Sequence, residues 1–156
     1  MPKITDKIAE LAGKREFVSV ATVSHDGQPN TAPKFFFRAK GDFMYLIDYV
    51  FGKTVVNLKE NPRVSVSFMD MDSLEAYRLN GTAKIIGEGK VFDRILKEWD
   101  KRLIKLATTR VVEAVQSGKK SGHYELEMGE KFIALKIKVE SIVKIGRRGD
   151  IWKEMG

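Results

Sequence analysis

Apolar and polar residues alternate with a period of two along most of this chain, and the period lengthens to three or four in only a few places. Ile4, Ile8 and Leu11 recur at helical spacing and predict a short opening helix over Thr5–Leu11. Phe17–Val23 (FVSVATV) is apolar and rich in β-branched residues, the pattern of a strand buried on both faces or nearly so. Ser24–Gln28 is turn chemistry, with Gly27 available for a positive φ. Thr31–Arg38 (TAPKFFFR) is a second strand, whose Pro33 implies an edge or a bulge, and after the turn Lys40-Gly41-Asp42 comes a third, Phe43–Asp48 (FMYLID). The period then changes. Lys53–Leu58 (KTVVNL) reads as a short helix stopped by Asn61-Pro62. Arg63–Met69 alternates cleanly as a fourth strand, and Asp70–Ser73 turns the chain. Leu74–Ile86 has strand character on both sides of Asn80-Gly81. That dipeptide is the strongest short-range hairpin signal, while one long strand kinked at Gly81 accounts for the same residues.

Further on, Phe92, Ile95, Leu96, Trp99, Leu103 and Leu106 give an amphipathic helix over Val91–Ala107, with Trp99 on its core face. Thr108 or Thr109 would cap a second helix running through Gln116 and ending at Gly118. Phe132–Val139 alternates as a strand, and Ser141–Ile145 reads as one more. The expected architecture is a single, mainly β domain over residues 1–156. It has six to seven short antiparallel strands, a short helix after strand 3 and a longer helix in the C-terminal third. Many short strands on short loops argue for a closed or nearly closed barrel, because closure removes exposed edges.

Composition then limits the chemistry. The absence of cysteine excludes disulfides, thiolate nucleophiles, iron–sulfur clusters and cysteine-held zinc. The two histidines, His25 in a turn and His123 after a basic loop, read as solvated turn residues rather than a metal centre. Lys and Arg number 28 against 21 Asp and Glu, a net charge of +7 that favours anionic partners. The basic cluster Lys138, Lys144, Arg147, Arg148 and Lys153 comes with no reading helix or aromatic platform, so nucleic acid is not the expected partner. No apolar run approaches the roughly 20 residues of a membrane helix, and MPKITDKIAELAGK has no signal-peptide core, so a cytoplasmic protein is expected.

The chemically richest stretch is Asp48-Tyr49-Val50-Phe51-Gly52-Lys53-Thr54, between a strand end and a helix start. There the first helical N–H groups are unpaired and the helix dipole is positive. Gly52 permits close backbone approach, Lys53 adds a charge and Thr54 a hydroxyl, a set that suits a phosphate. Thr54 as a plain helix cap beside a solvated Lys53 fits the same residues. A nucleotide-hydrolysing P-loop does not: Ile47 stands where its first Gly is required. In Pro33-Lys34-Phe35-Phe36-Phe37, alternation puts Phe35 and Phe37 on one face and Lys34, Phe36 and Arg38 on the other. That leaves one aromatic face for a flat ligand or for a core strand at a subunit interface. Asp70 and Asp72 read as a solvated acidic turn rather than a catalytic pair, and Trp152 as a cover for a ligand or partner subunit or as a tail anchor.

FVSVATVSHDGQPNTAPKFFF, FMYLIDYVFGKTVVNLKENPRVSVSF and LNGTAKII together resemble the pyridoxamine 5'-phosphate oxidase-like FMN-binding split-barrel family, over roughly Phe17–Ile86. The resemblance implies an antiparallel split β-barrel with Gly81 inside a strand, and a homodimer with flavin at the interface. It implies that FMN is bound with its phosphate at Lys53 and Thr54. The second-strand segment Pro33, Lys34, Phe35 and Phe36 and the third-strand end Ile47, Asp48 and Tyr49 would line the rest. Family members with a vitamin B6 substrate carry a second basic residue where this chain has Gly52, and an Arg–His motif near the C-terminus that Arg147-Arg148-Gly149-Asp150 does not match. The expected function is therefore that of an FMN-dependent oxidoreductase moving electrons between a nicotinamide cofactor and a small acceptor. A flavin carrier or sensor without turnover, and a deazaflavin-dependent reductase of the same fold, are the alternatives.

Overall fold

The computed structural model describes residues 2–14, 16–49, 52–118 and 131–155. In chain order its elements are α1 (Asp6–Gly13), β1 (Phe17–Val23), β2 (Pro29–Lys40), β3 (Phe43–Asp48), α2 (Lys53–Glu60), β4 (Arg63–Asp70), β5 (Glu75–Ile86), α3 (Lys90–Ser117), β6 (Ile133–Ile145) and β7 (Ile151–Met155). The strands pair antiparallel in the order β3-β2-β1-β4-β5-β6-β7, and a further β3–β6 pairing closes the first six into a barrel. β7 lies outside that closure against the second half of β6. This is the expected split-barrel architecture.

The inner face carries one apolar cluster. Val18, Val20, Met44, Leu46, Val64, Val66, Leu79, Leu135, Ile137 and Val139 alternate inward along their strands. Both ends are plugged. Ile4 just before α1 and Ile8 and Ala12 within it close the end where β1 begins, and Val55 and Leu58 of α2 close the end where β3 finishes. The outer face of β2, β3 and β6 is covered by α3: Ile95 and Trp99 pack on Phe37, Ile47 and Ala134, with Phe35, Tyr45 and Tyr49 around them.

Gly81 lies inside a strand, as the resemblance implied: Asn80-Gly81 is a bulge within one continuous β5. There a Cβ on Gly81 would stand 1.9 Å from the Lys138 carbonyl oxygen, so the glycine serves close backbone approach. The residues expected as two strands, Phe132–Val139 and Ser141–Ile145, form the single bulged β6. The two expected helices are one, α3, because Thr108 and Thr109 donate their hydroxyls back to the carbonyls of Ile104 and Lys105, both at 2.9 Å, instead of capping. Gly118, in the left-handed region at φ 68°, ends the helix as expected. β7 itself was missed. Its five residues are all exposed, so no burial pattern marks it. Trp152 in β7 is exposed, under the Lys144 ammonium 5.2 Å from its ring.

The turn Asp70–Ser73 is structural. Asp70 accepts from the Ser73 hydroxyl at 2.7 Å and from Lys14 of the α1 C-cap at 3.1 Å, and these bonds lower its carboxyl to about 2. Stabilisation from a depressed carboxyl is complete above its ordinary value of 3.8 and disappears as pH falls through about 2. Asp70→Asn should therefore lower the unfolding midpoint at pH 7 and flatten its fall between pH 4 and pH 2, as read by thermal melts across that range. Gly81→Ala should cost about 3 kcal/mol or more, because backbone rather than a flexible side chain must give way; urea unfolding measures it.

Candidate functional site

At the end of the barrel closed by α2, β3 runs out at Asp48, Tyr49 follows, and α2 begins after Gly52. Gly52, at φ −103° and ψ −148°, caps α2 without a side chain, unlike Thr5, whose hydroxyl accepts from Ile8 N–H at α1. The first intrahelical bond of α2 runs from Val56 N–H to Gly52 O, so the amides of Lys53, Thr54 and Val55 have no acceptor within the helix. Lys53 is exposed beside them. Asp26 of the β1–β2 turn is close enough to feel its charge. The Asp26 carboxyl is held below its ordinary range, first by the Ser24 hydroxyl and in smaller part by Lys53.

The expected site residues separate into two groups. Lys53, Pro33, Phe35 and Tyr49 face outward or sit half-buried on the outer side. The Phe35 ring lies 6.1 Å from Tyr49, edge-on, and 5.5 Å from Trp99. The Trp99 indole donates to the Tyr49 hydroxyl, and burial pushes the Tyr49 phenol above its usual range. Ile47 is fully buried on the same side, among the residues that pack with α3. Lys34, Phe36, Asp48 and Thr54 instead face inward. Phe36 packs on the inner cluster. Lys34 and Asp48 form an ion pair at 2.8 Å with side chains 3% and 1% exposed. The Thr54 hydroxyl is buried and accepts from the Asn30 amide at 3.5 Å, while Asn57 donates to Thr22 at 3.0 Å. The Thr54 hydroxyl is thus engaged inside the barrel, and its backbone amide is one of the three without a helical acceptor.

One sequence expectation fails here for a local reason. Strict alternation put Arg38 with Lys34 and Phe36, but the β2–β3 register shifts between Phe36 and Arg38. This bulge turns Arg38 to the outer face, where its guanidinium lies 5.2 Å from the Phe37 ring and 5.7 Å from the Tyr45 ring and pairs with Glu98 of α3 at 3.5 Å. Arg102 secures the bulge by donating to the carbonyls of Phe37 at 2.6 Å and Phe36 at 3.3 Å, with its guanidinium over Phe37 and Trp99. Arg38, Lys40, Tyr45, Arg94, Ile95 and Glu98 line a cavity of about 330 Å³ beside it. Sequence reading missed this basic cavity, because its residues come together only through the bulge and the packing of α3.

Antiparallel strands closed into a split barrel, with an uncapped helix start beside an aromatic strand, define the class. The chain belongs to the pyridoxamine 5'-phosphate oxidase family, whose model matches residues 4–143. It is 31% identical over 104 residues to an uncharacterized protein of Methanocaldococcus jannaschii, covering 65% of this chain and 68% of that one. Among solved structures it is similar to HupZ of Group A Streptococcus, with a TM-score of 0.67 at 26% identity over 92% of this chain and 95% of the other. It shares its fold with a pyridoxamine 5'-phosphate oxidase-related, FMN binding protein of Nostoc punctiforme, with a TM-score of 0.59 at 13% identity over 100% and 98% of the two chains.

Removing the arginine that secures the bulge tests this part of the site. Arg102→Ala strips the bonds to two strand carbonyls and should destabilise the fold by roughly 1–3 kcal/mol, measured by urea unfolding.

Proposed function

We propose that this protein binds FMN and acts, as a homodimer, as an FMN-dependent oxidoreductase between a nicotinamide cofactor and a small acceptor. The observation that carries the reading is the start of α2, where three backbone amides without helical acceptors stand beside the exposed Lys53 ammonium. That donor set fits a phosphate monoester. Phe35 and Tyr49, held edge-on by Trp99, supply an aromatic wall near it for a ring. Bound flavin would supply hydride transfer, leaving the protein to bind, orient and exclude water. Lys53 and the α2 amides hold the phosphate, and Tyr49 keeps its hydroxyl engaged with Trp99. The basic cavity at Arg38, Lys40 and Arg94 attracts an anionic partner to the same side of the sheet. The family relation and the FMN-binding Nostoc protein of the same fold support the cofactor.

The outer face of β1 and β4 supports the dimer. Ser19, Ala21, Ser65 and Ser67 make it flat, and Phe17 and Met69 stand 54% and 46% exposed on it. A deazaflavin in place of FMN is the second reading. It is favoured by the cations around the Arg38 cavity, which suit that cofactor's acidic tail, and by the shared fold of an F420 reductase, with a TM-score of 0.55 at 14% identity.

The purified protein should be yellow, or become so with FMN, and titrating apo-protein with FMN and a deazaflavin cofactor ranks the two. Lys53→Ala removes one charge-assisted hydrogen bond worth about 1.5–3 kcal/mol, so FMN affinity should fall roughly tenfold to a hundredfold. Riboflavin affinity should hardly change, and fluorescence titration with both ligands reads the difference. Equal loss for both would move Lys53 from the phosphate to the ring. Light scattering at low micromolar concentration should give about twice 17.7 kDa.

A further inference from the structure

The Lys34–Asp48 ion pair is the deepest charged contact described in the molecule, and neither partner reaches the surface where a ligand's phosphate would sit. Buried ion pairs are weak sources of stability: their desolvation cost rivals their attraction, and well-packed apolar residues of similar volume often serve the fold as well or better. The position of the pair gives it another use. The β2–β3 ladder ends at Phe35–Ile47, and Pro33 has no N–H to carry it further. In the next position of the same register Lys34 lies opposite Asp48, the last residue of β3. Their side chains span the gap where the ladder stops. Beyond Asp48 the chain proceeds to Tyr49 and then to Gly52 and the open amides of α2. Asn30, two inward positions back along β2, meets Thr54 of that same first turn. One strand edge thus holds both the entry to the segment and its far side.

We infer that Lys34 is a positioning residue: by binding Asp48 inside the barrel it fixes the exit of β3, and so sets where the start of α2 presents its amides and Lys53. A charge-assisted hydrogen bond defines a direction and a distance, whereas apolar contact tolerates sliding. The readout in FMN rests on the function proposed above; the mechanical claim does not.

The test compares wild type, Lys34→Met and the double variant Lys34→Met/Asp48→Leu. The single variant removes the buried counter-charge of Asp48 and should melt at lower temperature. The double variant should melt close to wild type, yet bind FMN at least tenfold more weakly with riboflavin affinity little changed. In all apo-proteins, hydrogen exchange is followed over residues 49–58, where Val56 and Asn57 close the first turn of α2. The double variant should exchange faster there and no faster in β4 and β5. A double variant that melts, binds FMN and exchanges like wild type overturns the inference and leaves the pair as filling. If the double variant does not fold, Asp48→Asn, isosteric and neutral, takes its place: it should melt lower because Lys34 loses its counter-charge, with the same expectations for FMN affinity and exchange, and wild-type exchange in that variant overturns the inference equally. Wild type that binds no FMN refutes the proposed function, and the exchange comparison still decides the role of Lys34.

Discussion

Six strands closed on one another leave an interior filled by the side chains that point into it, since even an eight-stranded barrel has room for little more than its own residues. Leu46, Leu79, Leu135 and Ile137 fill that space without measurable exposure. A ligand can therefore approach only the ends or the outer surface, and every inward polar residue must find its partner within the protein. The polar residues that do point inward gather at one end, where Thr22 meets Asn57, Asn30 meets Thr54 and Lys34 meets Asp48 beneath α2. The other end, closed by α1, is apolar inside and carries its charges on the rim, as Lys14 with Asp70 and Lys7 with Glu75. The end that carries buried polar contacts is the one whose plugging helix also starts without a side-chain cap.

The outer surface is divided just as sharply. α3 lays Ile95 and Trp99 over β2, β3 and β6 and turns that side into a second core, while β1 and β4 show small residues and no helix among those described covers them. Phe35 and Tyr49 occupy the border of the covered region, held there by Trp99. A flat ring could lie against them without entering the barrel. The Phe37 bulge extends this border, bringing Arg38 from the inner to the outer side at the cost of two ladder carbonyls that Arg102 satisfies.

Much of the barrel was legible because the period of two is clean, as in Val64-Ser65-Val66; Phe17–Val23, expected to be buried on both faces, instead buries only Val18, Val20 and Thr22 and, among the described residues, leaves its outer face uncovered, with Phe17 54% exposed. Asn80-Gly81 has hairpin composition, and only the family resemblance put Gly81 inside a strand, where it admits the Lys138 backbone. Misreadings arose where a local event overrode the period. Thr108 and Thr109 have capping composition but bond backward inside a continuous helix. β7 alternates over five exposed residues, too few to announce a strand. At the site, Gly52-Lys53 was readable because an uncapped helix start is a local property. Spacing placed Lys34 and Phe36 on one face of β2 but not on which side of the barrel that face lies, because both faces of the strand are covered.

That last ambiguity has a physical consequence for how such a site is assembled. A lysine and an aspartate on adjacent strands near a basic helix start look, in one dimension, like additional ligand contacts. Closing the sheet sends them to the opposite side from Phe35 and Tyr49, and the thickness of one strand then separates the outward aromatic residues from the polar ones beneath them. Because side chains alternate, the two sets are interleaved in sequence: Pro33 outside, Lys34 inside, Phe35 outside, Phe36 inside; then Ile47 outside, Asp48 inside, Tyr49 outside. Any shift of register that moved Phe35 along the sheet would also part Lys34 from Asp48, leaving two charges buried at several kcal/mol each. The ion pair adds little net stability to the native register but penalises every other one, and this ties the outward aromatic wall to the position at which the chain leaves β3 for α2.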